Sequence, residues 1–340
     1  MILHGLHNIC PPHRRNQKEC FEQLSATQAF RDLRSMSQDL LGRVLLGDCG
    51  IDTRFFSHND ANSLVSWNAE QLNRYYEKEG SALGTAALAG ALQKARWKAE
   101  EVDALLVCSC TGYLCPGLSS YVAEKIGLRP DVSLVDIVGQ GCGAAIPTLR
   151  QAEALLRSGA ERVACVAVEI CSAAFYIDDD PGVLISLCLF GDGASASLWS
   201  GKRDASEGIV QCGEFQSLHW PHHRDGVRFA NAKGKLKNVL IREVPEIAAQ
   251  AVNQLFQEAG AQAEAILAHP GGRNVLQALR AVLPQYSFNE SAEILRRHGN
   301  MSSPSVLFVL EEWLSSGQKD AWMVSFGAGF TCHGCRIRRP

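Results

Sequence analysis

The chain has 340 residues, 46% of them hydrophobic, with 33 basic and 36 acidic side chains and a formal net charge of −3. That length holds one large α/β domain or two fused halves. The near-balanced charge excludes a global pull toward nucleic acid or an anionic membrane, and no apolar run approaches the roughly 20 residues of a transmembrane helix. The opening Met1-Ile2-Leu3-His4-Gly5-Leu6-His7 lacks the charged region and apolar core of a signal peptide. Thirteen cysteines without an export signal point to reduced thiols and a cytoplasmic location, and the odd count fits a disulfide framework poorly.

In chain order, a helix is expected over 81–95 and a strand over 104–108, then a turn at Pro116-Gly117 and a helix near 119–127. Residues 133–138 read as a buried strand that bends through Gly141-Cys142-Gly143 into a helix over 144–158, closed by Ser158-Gly159. A strand over 162–169 and, after Gly191-Asp192-Gly193, a small-residue strand over 194–199 complete an alternating α/β half. The polar stretch 200–207 marks the join, dividing the chain into 1–205 and 206–340. The second half repeats the order with helix 244–259, strand 265–268, helices 273–279 and 303–315, and strand 321–326. Residues 219–237, with three histidines and many charges, read as a mobile surface loop.

Three residues invite chemistry. Cys142 stands where a strand turns into a helix, and the amides and dipole of a helix N-terminus favour a thiolate, lowering a free cysteine's pKa from about 8.5. Its flanking glycines let the chain bend and leave the sulfur approachable. A small buried hydrophobe would look the same, so the tripeptide alone leaves both readings open. His269 ends the strand 265–268 before Pro270-Gly271-Gly272, at the strand edge where α/β proteins place active groups, and a capping role suits it equally. Asn300, in His298-Gly299-Asn300-Met301-Ser302-Ser303, precedes an apolar helix and would also serve as a cap. Cys332-His333-Gly334-Cys335 has CxxC spacing, and Cys108, Cys110 and Cys115 form a looser group. Neither matches a paired zinc pattern, so no metal is expected.

Together these segments resemble the type III polyketide synthases, the chalcone synthase-like branch of the thiolase-fold condensing enzymes. The resemblance covers nearly the whole chain through Gln140-Gly141-Cys142, Leu189-Phe190-Gly191-Asp192-Gly193-Ala194, Ala268-His269-Pro270-Gly271-Gly272, Gly299-Asn300-Met301-Ser302-Ser303 and Ser325-Phe326-Gly327-Ala328-Gly329. It implies an α/β thiolase-like fold of two duplicated halves in a five-layered α-β-α-β-α body, acting as a homodimer. It also implies that Cys142 carries an acyl starter as a thioester and that His269 pairs with the thiolate. With Asn300, His269 would polarise the malonyl-CoA carbonyl during a decarboxylative condensation. CoA thioesters are then the substrates, with no separate cofactor.

The same resemblance places Phe190 as a gatekeeper, and Cys110, Thr111, Cys115, Cys171 and Ser302 around the chamber, with Phe326 and Gly327 in the C-terminal loop. A second gatekeeper phenylalanine falls on Asn238, and the loop's usual proline is Ala328. Where the family has basic residues for the CoA phosphates, this chain has Leu41, Val44 and Asp48, leaving Arg34, Arg43 and Arg54 as substitutes and an acyl carrier protein as an alternative donor. Other outcomes on the same fold are a single condensation of the ketoacyl synthase III kind, an acyltransferase, or a non-catalytic relative that binds acyl thioesters.

Overall fold

The strands Gly193–Ser200, Arg162–Glu169, Ala104–Cys108 and Ala265–Ala268 are buried on both faces, because helices cover the sheet from either side. The computed structural model describes residues 1–201, 208–260 and 262–339, so the expected join at 205/206 lies outside the described residues. Across the main sheet the strands run Ala265–Ala268, Asp320–Gly327, Thr331–Arg338, Val210–His219, Ile2–Ile9, Gly193–Ser200, Arg162–Glu169, Ala104–Cys108 and Ser133–Ile137. Ile2–Ile9 pairs with Val210–His219 only at Ile2↔Gln211 and Leu3↔Val210, so two half-sheets meet at a corner. Each half follows one plan, with its earliest and latest strands antiparallel at the shared side and parallel strands beyond. Among the described residues the second half has no counterpart of Ser133–Ile137.

The period of two along each strand sorts side chains between layers. In Ala104–Cys108, Leu105 and Val107 face the helices Ala69–Ala95 and Leu118–Ile126, packing with Leu88 and Val122. Leu106 and Cys108 face the opposite way, onto Ile146 and Leu149 of the helix Ala145–Arg157. In the second half Leu267 and Met323 reach that same middle layer, where Val306, Val309 and Trp313 of the helix Ser305–Trp313 lie. Ile266 and Val324 turn outward to Val252, Leu276 and Leu279 of the helices Val244–Glu258 and Arg273–Val282. The result is the expected α-β-α-β-α layering. No helix among the described residues is long and apolar enough to cross a membrane.

Two expectations need correction. Residues 133–138 do not form a buried strand: Ser133–Ile137 is the sheet's edge, paired only with Ala104–Cys108, and leaves Leu134 40% exposed. Residues 219–237 are not a loop: Val227–Ala232 and Lys235–Leu240 form a hairpin. Its two-residue turn, Lys233-Gly234, has φ of 51° and 76°, the left-handed pair of a type I′ turn. The strands Ile2–Ile9, Val210–His219 and Thr331–Arg338 were not anticipated, because small and polar residues dilute their patterns.

Leu149, 1% exposed in the shared middle layer, touches the cores of both halves. Truncation to alanine is expected to lower stability by about 2–5 kcal/mol. Denaturant midpoints will check this against Met36→Ala, where an 83% exposed side chain predicts no shift.

Candidate active site

Cys142 lies in the single 3-10 turn Gly141–Gly143 that leads into the helix Ala145–Arg157. Gly141 has φ +54°, a conformation that a side chain would strain. From the other half of the chain, the end of the strand Asp320–Gly327 packs onto this turn. A Cβ on Gly327 would stand 2.7 Å from Gly143 N, 2.8 Å from Gln140 O and 2.9 Å from Cys142 N. The Ser325 hydroxyl donates to Gly143 O at 2.9 Å, fixing the seam. The nucleophile's backbone is therefore held by residues nearly two hundred positions away.

His269 leaves the strand Ala265–Ala268 with its amide bonded to Val324 O at 2.8 Å, and Gly271 N returns to His269 O at 2.9 Å, closing the turn at Pro270. The ring stands edge-on to Phe326 at 5.3 Å, and its buried Nδ1 has no hydrogen-bond partner among the described residues. Asn300 is stitched to the other half by Asn300 N to Leu189 O at 2.9 Å and Gly191 N to Asn300 O at 3.0 Å. Its Oδ1 accepts from Ser302 N at 2.8 Å, while its Nδ2 donates to Gly271 O at 3.2 Å. The amide orientation is thereby set, with a second N–H left on Nδ2. Ser302 adopts φ +60°, and its hydroxyl meets Cys110 Sγ and Glu169 Oε1, each at 3.3 Å.

Cys142, His269 and Asn300 all line one open, mainly apolar pocket. Phe190, Cys110, Thr111, Cys171, Asn238, Ser302, Phe326 and Gly327, which the resemblance places around the chamber, line it too. Cys115 does not; it is exposed, outside the cavity wall. Arg54 is no phosphate ligand, because it is buried. Its guanidinium takes up Gln17 Oε1 at 2.9 Å and the carbonyls of Leu187 and Phe190 at 2.7 and 2.8 Å, capping the end of the helix Pro181–Leu189. Arg34 pairs with Asp179 at 3.5 Å and Arg43 is exposed; neither lines the cavity.

Two features escaped the sequence reading. Glu169, fully buried, accepts from Cys110 N at 3.0 Å, Thr111 N at 3.2 Å, Thr111 Oγ1 at 2.9 Å and Ser303 Oγ at 2.7 Å. An acid ending the otherwise apolar run Val163–Val168 was the available signal. The hairpin also contributes a wall, through Val227, Arg228, Phe229 and Leu240.

The electrostatics correct one expectation. Instead of lowering the Cys142 thiol, the surroundings raise it: burial pushes it up to about 12, while hydrogen bonds from Ser302 and Asn300 act in the opposite direction. Burial likewise pulls the His269 imidazole down to about 3. Burial thus disfavours the charged form of each group in this pocket.

A half-buried cysteine at a strand-to-helix turn, lining one apolar cavity with a histidine and an asparagine on a duplicated five-layer body, defines a thiolase-fold condensing enzyme. Residues 11–211 match the family described as FAE1/type III polyketide synthase-like protein, and residues 226–339 match the chalcone and stilbene synthase C-terminal domain. The chain belongs to the type III polyketide synthase-like family and is an acyltransferase-type condensing enzyme. The 1,3,6,8-tetrahydroxynaphthalene synthase of Streptomyces peucetius subsp. caesius is 29% identical over 352 residues, covering 98% of this chain and 92% of that protein. The 3,5-dihydroxyphenylacetyl-CoA synthase of Streptomyces toyocaensis is 29% identical over 276 residues, 76% of this chain and 70% of that one. The fold matches the crystal structure of PKS-I from the brown alga Ectocarpus siliculosus with a TM-score of 0.89 at 21% identity, covering 100% of this chain and 98% of that one.

With His269→Ala the thiol keeps both the burial that raises its pKa and the opposing hydrogen bonds of Ser302 and Asn300, but loses the imidazole as a proton acceptor. Iodoacetamide alkylation of Cys142 at pH 7 is expected to fall about tenfold or more, recovering only as pH rises. Mass spectrometry of the modified peptide provides the readout, and alkylation as fast as in the wild type would show that His269 does not serve the thiol.

Proposed function

We propose that the enzyme loads an acyl starter from CoA onto Cys142 and extends it by decarboxylative Claisen condensation with malonyl-CoA. Cyclisation or release then gives a pyrone, resorcinol or phloroglucinol-type product. The observation that carries this reading is the meeting of Cys142, His269 and Asn300 in one apolar pocket. In loading, the Cys142 thiol proton passes to His269 as the sulfur attacks the acyl carbon; the CoA thiolate leaves and takes the proton back. His269 is then neutral again, a donor rather than a charge.

Malonyl-CoA binds with its thioester oxygen toward the Asn300 Nδ2 and His269. Loss of carbon dioxide leaves an enolate whose oxygen those donors stabilise as charge develops. The enolate carbon attacks the acyl–Cys142 carbonyl and releases the sulfur. Asn300 cannot act as a base, and decarboxylation supplies the carbanion, so the step requires no strong base. CoA thioesters are thus the only small molecules this chemistry calls for. The relatives' names, for a tetrahydroxynaphthalene, a dihydroxyphenylacetyl-CoA and an α-pyrone, support a hydroxylated aromatic or pyrone product. A homodimer is part of this reading; the edge strand Ser133–Ile137, with Leu134 40% exposed and Val138 just past its end 56% exposed, supplies apolar surface for it.

Cys142→Ala is expected to abolish the acyl-enzyme seen by intact-protein mass spectrometry. Asn300→Ala should still load, yet release carbon dioxide from carboxyl-labelled malonyl-CoA some 10²–10³-fold more slowly, the loss associated with one oxyanion donor. Wild-type rates of release from the Asn300 variant would overturn the role given to it.

A further inference from the structure

The CoA donor proposed above ends in phosphates, yet the positions where the resemblance puts basic residues for them hold Leu41, Val44 and Asp48. Leu41 is buried, and Asp48 is an anion paired with Arg273 at 2.8 Å. The chain gathers its positive charge elsewhere. Between Trp220 and Arg242 stand Arg224, Arg228, Lys233, Lys235, Lys237 and Arg242 against the one acid Asp225. That is a formal +5 in a chain whose total is −3, leaving −8 for the remainder.

This charge is placed at the active-site cavity. Val227, Phe229, Asn238 and Leu240 of the hairpin line the cavity, and Arg228 lines it as well. Arg242 falls between two lining residues, Leu240 and Val244, and is itself exposed. Ile241 N bonds to Gly226 O at 3.0 Å, bringing Arg242 to the same end of the hairpin as Arg224 and Arg228. Arg224 and Arg228 share the single Asp225 at 3.8 and 3.5 Å, with side chains 73% and 50% exposed. Among the described residues Arg242 makes no ion pair. The acids of this rim, Asp225 and Glu243, leave it net positive. Lys237 is committed elsewhere: it pairs with Asp178 at 2.6 Å and Asp180 at 3.4 Å, tying the hairpin to the loop before the helix Pro181–Leu189. The other available arginines are spent or remote, Arg54 in helix capping and Arg34 on Asp179.

We propose that Arg224, Arg228 and Arg242, at the base of this hairpin, form the phosphate-recognition element for the CoA thioesters. Guanidinium groups suit the task, since their forked donors match phosphate oxygens and stay charged at any working pH. The inference rests on the reading of CoA as donor.

Equilibrium binding of CoA and of phosphate-free pantetheine, measured by calorimetry without turnover, tests it. The double variant Arg224→Gln/Arg242→Gln is expected to raise the Kd for CoA about tenfold, the combined size of two or three exposed charge contacts. It should leave pantetheine binding unchanged, and high salt should bring the wild type close to the variant. Arg228→Gln should move CoA affinity in the same direction, whereas Arg34→Gln/Arg43→Gln should not. An unchanged Kd for CoA, an equal loss for pantetheine, or a loss seen only with a phosphopantetheinylated carrier protein would each overturn the assignment. Phosphate-dependent CoA binding by a wild type that releases no carbon dioxide from malonyl-CoA would sink the condensation reading alone and uphold this one.

Discussion

The site depends on a backbone-to-backbone contact that no side chain can enter. The strand end at Gly327 lies directly against the amides of Cys142 and Gly143, so closely that one added carbon would stand at 2.7–2.9 Å from three backbone atoms. The nucleophile comes from one half of the fold and its backing from the other, and the Ser325–Gly143 hydrogen bond locks them together. Asn300 is attached in the same manner, by paired backbone bonds to Leu189 and Gly191. Catalytic geometry is thus a property of two seams between halves, each rigid because main-chain atoms make it.

Burial then sets the chemistry. The apolar cavity disfavours both a thiolate on Cys142 and an imidazolium on His269, and the proposed loading step, a single proton passed from one to the other, avoids leaving either charge isolated. The same low dielectric strengthens the Asn300 donor toward an enolate oxygen. Two buried carboxylates are tolerated nearby because each is surrounded by donors. Glu169 holds the segment of Cys110 and Thr111 against Ser302 and Ser303. Asp192 accepts from Ser57 N at 2.8 Å, and from Ser172 N at 2.9 Å and Ser172 Oγ at 2.7 Å. Neither carboxylate touches the reacting atoms; both shape the walls around them.

Much of this was legible beforehand where the signal was local. The strands 104–108, 162–169 and 265–268 carry dense β-branched or aliphatic runs, and their limits agree with the structure. The helix expected over 81–95 begins earlier, at Ala69, because Asn68 and Gln71 form a capping box that the polar first turns obscured. Ser133–Ile137 misled because an apolar run says that a strand exists, not whether a second neighbour covers it. The hairpin was missed because its charges outweighed its alternation, although Lys233-Gly234 was a usable turn signal.

By itself the sequence determined the order of the family's motifs, the candidate residues Cys142, His269 and Asn300 within them, and the α/β alternation, because each is written in residue type and short spacing. Tertiary structure alone decided that Arg54 caps a buried helix, that Cys115 stands outside the cavity, and that the thiol and imidazole rest against their charged forms. It also decided that the chain's densest positive segment borders the cavity. These are matters of burial and of contacts between residues tens to hundreds of positions apart. A linear pattern of residue types carries no record of which surface ends up covered, or by what.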